Sequence, residues 1–120
     1  MRDIDQAIQI AKIMAQVSGK LISQYYRQEI TVEIKSDQSP VTLADKKAEQ
    51  EMRNIIMKHY PEDGILGEEF GWYQKNADYQ WILDPIDGTK TFICGVPLFG
   101  TLIAWLYKQQ PIVGVMNLPV

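Results

Sequence analysis

Apolar residues in the first half of the chain recur at the spacing that predicts two amphipathic helices. Between Ile4 and Tyr25 they fall every three or four residues, so they form one continuous stripe on a long helix. The same period returns from Ala44 to Ile56 and stops at Tyr60-Pro61, where proline disfavours further helix. We therefore expect both helices to bury one face against a core.

The pattern changes from helical to strand-like in several other segments. Ile30–Ile34 alternates apolar and polar residues, and Trp81–Leu83 reads as the end of a buried strand. Leu98–Tyr107 is apolar on both faces, which predicts a strand covered on both sides, and Ile112–Met116 follows as a returning strand. Two helices with a mainly antiparallel sheet indicate an α+β or layered α/β fold.

Size and composition favour a single soluble domain over residues 1–120. The chain is 46% hydrophobic and 22% charged, and its formal net charge of -3 gives no basic surface for nucleic acid. Neither a signal peptide nor an apolar run of membrane-spanning length is seen, so no membrane partner is expected. The single cysteine, Cys94, excludes an intrachain disulfide and a cysteine-rich zinc site, which favours a reducing, cytoplasmic location.

The single histidine limits the catalytic chemistry that the chain can carry. His59 alone cannot supply an H-E-x-x-H metal site, and a Ser/His/Asp triad is disfavoured. It lies near the end of the second predicted helix, where the helix dipole favours a cation, so we interpret it as structural. Asp45 lies near the start of that helix, after a cap at Ser39 or Thr42, and its simplest role is to complement the dipole.

Two carboxylates directly after the Trp81–Leu83 strand suggest a site for a metal ion and a phosphate. Asp84 and Asp87 lie three positions apart in what we expect to be a tight loop, shaped by the fixed angle of Pro85. Carboxylates and main-chain carbonyls are ligands for a hard cation such as Mg²⁺. The next two residues, Gly88-Thr89, offer backbone N–H groups and a hydroxyl to a phosphate. The competing interpretation is a simple surface turn, since Asp-Gly is common in turns.

A third carboxylate strengthens the metal hypothesis. Glu68, like Asp84, follows a short apolar segment, Gly64–Gly67, although most adjacent acids such as Glu68-Glu69 are simply solvated. Three carboxylates without histidine or thiolate select Mg²⁺ or Mn²⁺ before zinc. Together with Lys35, such a site would stabilise the charge of a phosphate monoester during hydrolysis.

The spacing of the two aspartates argues against a covalent mechanism. Phosphatases of the haloacid dehalogenase class use Asp-x-Asp, with the first aspartate as nucleophile, whereas two residues separate Asp84 and Asp87 here. An EF-hand is also excluded, because the loop lacks alternating ligands and a closing glutamate.

The sequence resembles the inositol monophosphatase family over almost its whole length. The resemblance rests on D-P-I-D-G-T at residues 84–89, G-E-E at 67–69, K-S-D at 35–37 and T-L-A-D at 42–45. S-P-V-T at 39–42, G-I-L-G-E-E-F-G at 64–71, and F-I at 92–93 before G-V-P at 95–97 resemble the histidinol-phosphatase branch more than the inositol branch.

The resemblance implies a layered αβαβα sugar-phosphatase-like fold and a magnesium-dependent phosphatase, with Mn²⁺ as an alternative ion. Glu68, Asp84, Asp87 and the carbonyl of Ile86 would hold the metal. Gly88 and Thr89 would bind phosphate, with Lys35 close to the metal site. Thr89, linked to Asp45, and Glu68 would prepare a water molecule for direct in-line attack, a role that replaces the dipole interpretation of Asp45.

The resemblance also implies a homodimer and a small phosphorylated substrate. Histidinol phosphate is our first choice, with inositol 1-phosphate and a 3′(2′),5′-bisphosphate nucleotide as alternatives. A second half that carries a Trp-Asp-x-Ala-Ala-Gly motif follows in this family, and that motif is not in these 120 residues. We therefore expect an N-terminal portion with an incomplete metal site, and a fragment that binds metal without turnover is the competing hypothesis.

Overall fold

The computed structural model describes residues 3–26, 40–87 and 100–117, which form two helices and one five-stranded sheet. The helices are α1 (Ile4–Tyr26) and α2 (Pro40–His59). The strands are β1 (Gly64–Gly67), β2 (Gly71–Tyr73), β3 (Tyr79–Asp87), β4 (Gly100–Tyr107) and β5 (Gln110–Asn117). The sheet order is β2-β1-β3-β4-β5, in which only the β1–β3 pair is parallel. The predicted α+β fold with a mainly antiparallel sheet is therefore confirmed. The strand expected over Ile30–Ile34 lies outside the described residues.

Helix α1 follows the predicted stripe and is capped by an aspartate just before its first residue. Asp3 Oδ1 accepts the backbone N–H of Asp5 at 2.9 Å and that of Gln6 at 3.4 Å. These bonds satisfy two amide groups that a helix start leaves without helical partners. On the apolar face, Ala7 and Met14 are fully buried in the core shared with the sheet.

Helix α2 begins earlier than a cap at Thr42 would require. Its first residue is Pro40, and proline suits this position because it lacks an N–H that the helix could not use. Thr42 therefore lies inside the helix, and Asp45 lies beyond the first turn, which contains no acidic residue. The dipole explanation for Asp45 is thus wrong. His59 ends the helix, as expected.

A buried aspartate joins the helical layer to the centre of the sheet. Trp81 on β3 and Trp105 on β4 are fully buried cross-strand partners, with ring centroids 5.6 Å apart. Asp63 Oδ2 accepts the indole N–H of Trp81 at 2.9 Å and that of Trp105 at 3.3 Å. Tyr60 packs against both indoles at 5.8 and 6.1 Å. The end of α2 is thereby anchored to the middle of the sheet.

Only one face of the sheet carries helices within the described part of the chain. Ile103 and Trp105 on β4 are buried against the helical layer. On the opposite face, Ile82 is 36% exposed and Met116 is 60% exposed. The double cover predicted for β4 is therefore not provided by these residues. As judged over the same residues, neither helix combines the length and apolarity needed to cross a membrane.

We predict that replacing Asp63 with alanine lowers the free energy of unfolding by about 2 to 4 kcal/mol, because two buried indole N–H groups lose their acceptor. Urea unfolding followed by tryptophan fluorescence measures the loss. Asp78→Ala is the matched control, since Asp78 is exposed. Equal stability of the two variants would contradict the proposed anchor.

Candidate metal and phosphate site

The parallel pairing of β1 and β3 brings two of the predicted carboxylates to one edge of the sheet. Gly67 is the last residue of β1 and lies opposite Leu83 of β3. Glu68 and Asp84 directly follow these paired positions, Glu68 just after the end of β1 and Asp84 within β3, so their backbones lie at the same level of the sheet. Parallel neighbours run in the same direction, so the residues that follow a paired position stay side by side. The strand register thus brings the backbones of Glu68 and Asp84 together, and their joint role in metal binding stays a prediction.

Asp45 of α2 shares this acidic environment. Burial, together with the negative charges of Glu69, Glu68, Asp84 and Glu49, raises the pKa of Asp45 to about 7, with burial the largest cause. Every charged group behind this shift is a carboxylate. Charges of one sign in a partly buried place oppose ionisation, and a cation would relieve that opposition. We call Asp45, Glu68, Glu69 and Asp84 the acidic edge.

The donor chemistry of the acidic edge fits a hard divalent cation. Its members offer only carboxylate oxygens, the ligands that Mg²⁺ and Mn²⁺ prefer. Within the described residues, no three Asp, Glu, His or Cys side chains gather closely enough to form a complete metal-binding group. Asp87 and Ile86 of the predicted set are described here only as backbone positions of β3.

The strand that carries Asp84 continues further than the sequence suggested. Asp84 pairs with Leu102 and Asp87 with Gly100, so three steps on β3 oppose two on β4. This extra residue is a bulge, which bends a strand and re-aims its side chains. Pro85 lies within it and has no N–H to donate to the ladder. The prediction of a tight loop directly after Leu83 is therefore wrong, because the strand continues to Asp87.

Two acidic residues near the site were missed or underestimated from the sequence. Glu69 is half-buried, and burial together with the charges of Glu49 and Glu68 raises its pKa, whereas Lys46 lowers it. Glu49 is fully buried and accepts the backbone N–H groups of Glu69 and Phe70. The available signal was the helical spacing of Glu49, four residues after Asp45 and four before Arg53. Lys35, Gly88, Thr89 and Cys94 lie outside the described residues.

Comparison with known proteins identifies the family. A family model described as the inositol monophosphatase family matches residues 3–120, so the chain belongs to that family. It is 47% identical to the bifunctional phosphatase IMPL2, chloroplastic, of Arabidopsis thaliana over 98% of this chain and 35% of that protein. It is 42% identical to a histidinol-phosphatase of Chlorobaculum parvum, over 93% of this chain and 44% of that protein.

A solved structure supports the same fold. The structure of an inositol monophosphatase from Zymomonas mobilis superposes with a TM-score of 0.85 at 42% identity, over 99% of this chain and 46% of that chain. The family resemblance seen in the motifs is therefore confirmed. The chain spans less than half the length of each of these relatives.

We predict that the metal-free protein loses stability as the pH rises from about 4 to about 7. The folded chain keeps a proton on Asp45 up to about pH 7, whereas the ordinary carboxyl value is 3.8, so the folded state binds more protons in this window. Asp45→Asn should remove much of this dependence of the free energy of unfolding on pH. At pH 8 it should raise the free energy of unfolding by about 1 to 2 kcal/mol. Three pKa units would correspond to about 4 kcal/mol, but water reaches part of this site and screens the charges.

Urea unfolding in EDTA at pH 4, 6 and 8 measures this difference. Asp78→Asn is the control, because Asp78 is exposed and outside the acidic edge. A wild-type stability that rises steadily between pH 4 and pH 7, with Asp45→Asn following it in parallel, would show that the Asp45 environment is not as described.

Proposed function

We propose that this chain is the part of a divalent-metal-dependent phosphomonoesterase that binds the metal ion and the phosphate group. The observation that carries the proposal is the acidic edge, in which burial and the charges of nearby carboxylates raise the pKa of Asp45. Glu68, Asp84 and Asp87, with the main-chain carbonyl of Ile86, are the proposed ligands of Mg²⁺. Mn²⁺ is the alternative ion, since it accepts the same oxygen donors.

The proposed reaction is direct in-line attack of water on the phosphorus. A divalent cation bound here would neutralise charge on the phosphate and make water more acidic. Gly88 and Thr89 are proposed to bind the phosphate oxygens, and Lys35 to add a positive charge near them. Without metal the pKa of Asp45 is raised to about 7, and a bound cation would favour its carboxylate form, which can accept a proton. It would act with Thr89 and Glu68 on the attacking water.

Histidinol phosphate is the proposed substrate, although percentage sequence identity alone does not distinguish it from inositol 1-phosphate. The chain is 42% identical both to the histidinol-phosphatase of C. parvum and to the inositol monophosphatase of Z. mobilis. The choice rests on the S-P-V-T and G-I-L-G-E-E-F-G segments noted in the sequence. Inositol 1-phosphate and a 3′(2′),5′-bisphosphate nucleotide are the alternatives. A cytoplasmic location and a homodimer stay predictions.

A second candidate function follows from the length of the chain. The chain spans 35% to 46% of the length of the three relatives described above, and the second candidate is a chain that binds the metal without turning over a substrate. Metal binding and phosphate release must therefore be measured separately.

We predict that the chain binds Mn²⁺ and that Glu68→Gln or Asp84→Asn weakens binding about tenfold or more, since each variant removes one negatively charged ligand. Isothermal titration calorimetry or electron paramagnetic resonance of free Mn²⁺ gives the affinity. Glu62→Gln is the control, because Glu62 is exposed and contributes no charge to the raised pKa of Asp45. Equal affinity in all three variants would refute the metal site.

We also predict metal-dependent phosphate release that is fastest with histidinol phosphate. The assay compares this substrate with inositol 1-phosphate and adenosine 3′,5′-bisphosphate, in Mg²⁺ and then in EDTA. Asp84→Asn should lower turnover by about 100-fold or more if the metal supplies most of the charge stabilisation. Mn²⁺ binding without any phosphate release would instead establish the metal-binding fragment, and release that persists in EDTA would refute the mechanism.

A further inference from the structure

Glu49 is a fully buried carboxylate, and within the described part of the chain its hydrogen bonds reach the turn that carries Glu68 and the arginine that supports this turn. Its Oε1 accepts the backbone N–H of Glu69 at 3.0 Å, and its Oε2 accepts that of Phe70 at 2.9 Å. Oε2 also accepts Arg53 Nε–H at 3.1 Å. A buried carboxylate is costly unless it is paired and hydrogen-bonded, and these three donors meet that requirement. Both oxygens are thereby engaged by N–H groups, which makes Glu49 a poor metal ligand.

Gly67 allows the start of the turn to lie close to the Glu49 carboxylate, because glycine has no side chain. A Cβ atom at residue 67 would overlap the carboxylate carbon and both oxygens of Glu49. Gly67, just before Glu68, can therefore lie directly against the Glu49 carboxylate because it has no side chain. Glu69 and Phe70, just after Glu68, donate their backbone N–H groups to the same carboxylate. Glu68 itself is exposed, so packing of its own side chain does not fix its position.

Arg53 extends the same arrangement to the start of β2. Its Nη2 donates to the carbonyl oxygen of Gly71, and its guanidinium carbon lies 5.7 Å from the centroid of the Phe70 ring. One helix side chain therefore bonds both Glu49 and the far end of the turn. We call Glu49 and Arg53, with the bonds they make to the turn, the clamp. Because Glu49 follows Asp45 by one helical turn, the clamp and Asp45 share one helix.

We propose that Glu49, supported by Arg53, is a positioning residue that fixes Glu68 relative to Asp45 and so sets the divalent-cation affinity of the acidic edge. This inference rests on the proposed function for its metal, but the contacts on which it depends do not. Residues that orient the ligands of a metal typically change its affinity 10- to 100-fold when they are replaced.

The test uses the full chain and two variants that disturb the clamp in different ways. Glu49→Gln turns an amide NH₂ group toward one of the three N–H donors and also removes a charge. Gly67→Ala changes no charge but displaces the carboxylate from its bonds. Glu51→Gln is the matched control, because it removes the same charge from an exposed position on the same helix.

Two readouts keep the clamp and the metal site distinguishable. In EDTA, hydrogen exchange at the Glu69 and Phe70 amides should accelerate about tenfold or more in Glu49→Gln and stay unchanged in Glu51→Gln. With Mn²⁺, the dissociation constant should rise about 10- to 100-fold in both Glu49→Gln and Gly67→Ala, with circular dichroism confirming a folded chain. Arg53→Lys keeps the charge but loses the planar guanidinium group, so it should raise the dissociation constant for Mn²⁺ about threefold. This variant takes the place of Glu49→Gln or Gly67→Ala if either does not fold.

Three results would overturn the proposal. A folded Glu49→Gln or Arg53→Lys with wild-type affinity for Mn²⁺ would show that the clamp does not position a ligand. Weaker binding in Glu49→Gln but not in folded Gly67→Ala would assign the effect to charge alone. Unchanged exchange at Glu69 and Phe70 would refute the clamp itself. Failure of the proposed function appears separately, as a wild-type chain that binds no Mn²⁺ while the exchange results still report the clamp.

Discussion

The parallel register of β1 and β3 is the constraint on which the candidate site depends. It sets Gly67 opposite Leu83, and the chain places a carboxylate directly after each of these residues. Asp84 is itself paired with Leu102 of β4, so the backbone at this position is held by both neighbouring strands. Asp45 on α2 shares this environment, and its burial together with the nearby negative charges raises its pKa. Perturbed carboxylates of this kind are concentrated at functional sites, because a fold gains no stability from them.

The repulsion at the acidic edge is tolerated because other contacts hold the same elements together. Trp81 and Trp105 form a buried cross-strand pair in the middle of the sheet, and Asp63 bonds both indoles. At the other end of α2, Ala44 and Ala48 are fully buried, so the helix lies close to its neighbours beside Asp45. The carboxylates therefore lie on a helix and strands that are packed into the core at both ends of α2. The favourable core contacts offset the free-energy cost of the repulsion.

The elements with strong periodicity could be predicted from the sequence, and the short or irregular ones could not. Helix α1 follows its apolar stripe to within one residue, and β4 and β5 follow their apolar runs. Strand β2 has only three residues, too few to show a period, and it forms because Gly71–Tyr73 can pair with β1. The extension of β3 beyond Asp84 was missed because Pro85 normally interrupts a strand, and a bulge accommodates it here.

Site residues could be predicted where a carboxylate comes directly after an apolar segment of the sequence. They could not be predicted where their role depends on contacts between distant parts of the chain. Glu68 and Asp84 were found because each follows an apolar segment. Glu49 looks like any acid on an exposed helix face, and nothing local shows that its partners are backbone amides 20 and 21 residues further along. Its burial is a property of the packed turn, not of its neighbours in sequence.

Asp45 and Glu49 show how environment divides similar groups between different tasks. They lie one turn apart on α2, yet Glu49 faces three N–H donors, whereas Asp45 faces other carboxylates. Donors stabilise a charge and fix its position, so Glu49 is suited to hold a structure in place. Uncompensated negative charge favours protonation and attracts cations, so Asp45 is suited to chemistry. One helix can therefore present a fixed anchor and a reactive group together, because the turn after β1 supplies donors to one and charges to the other.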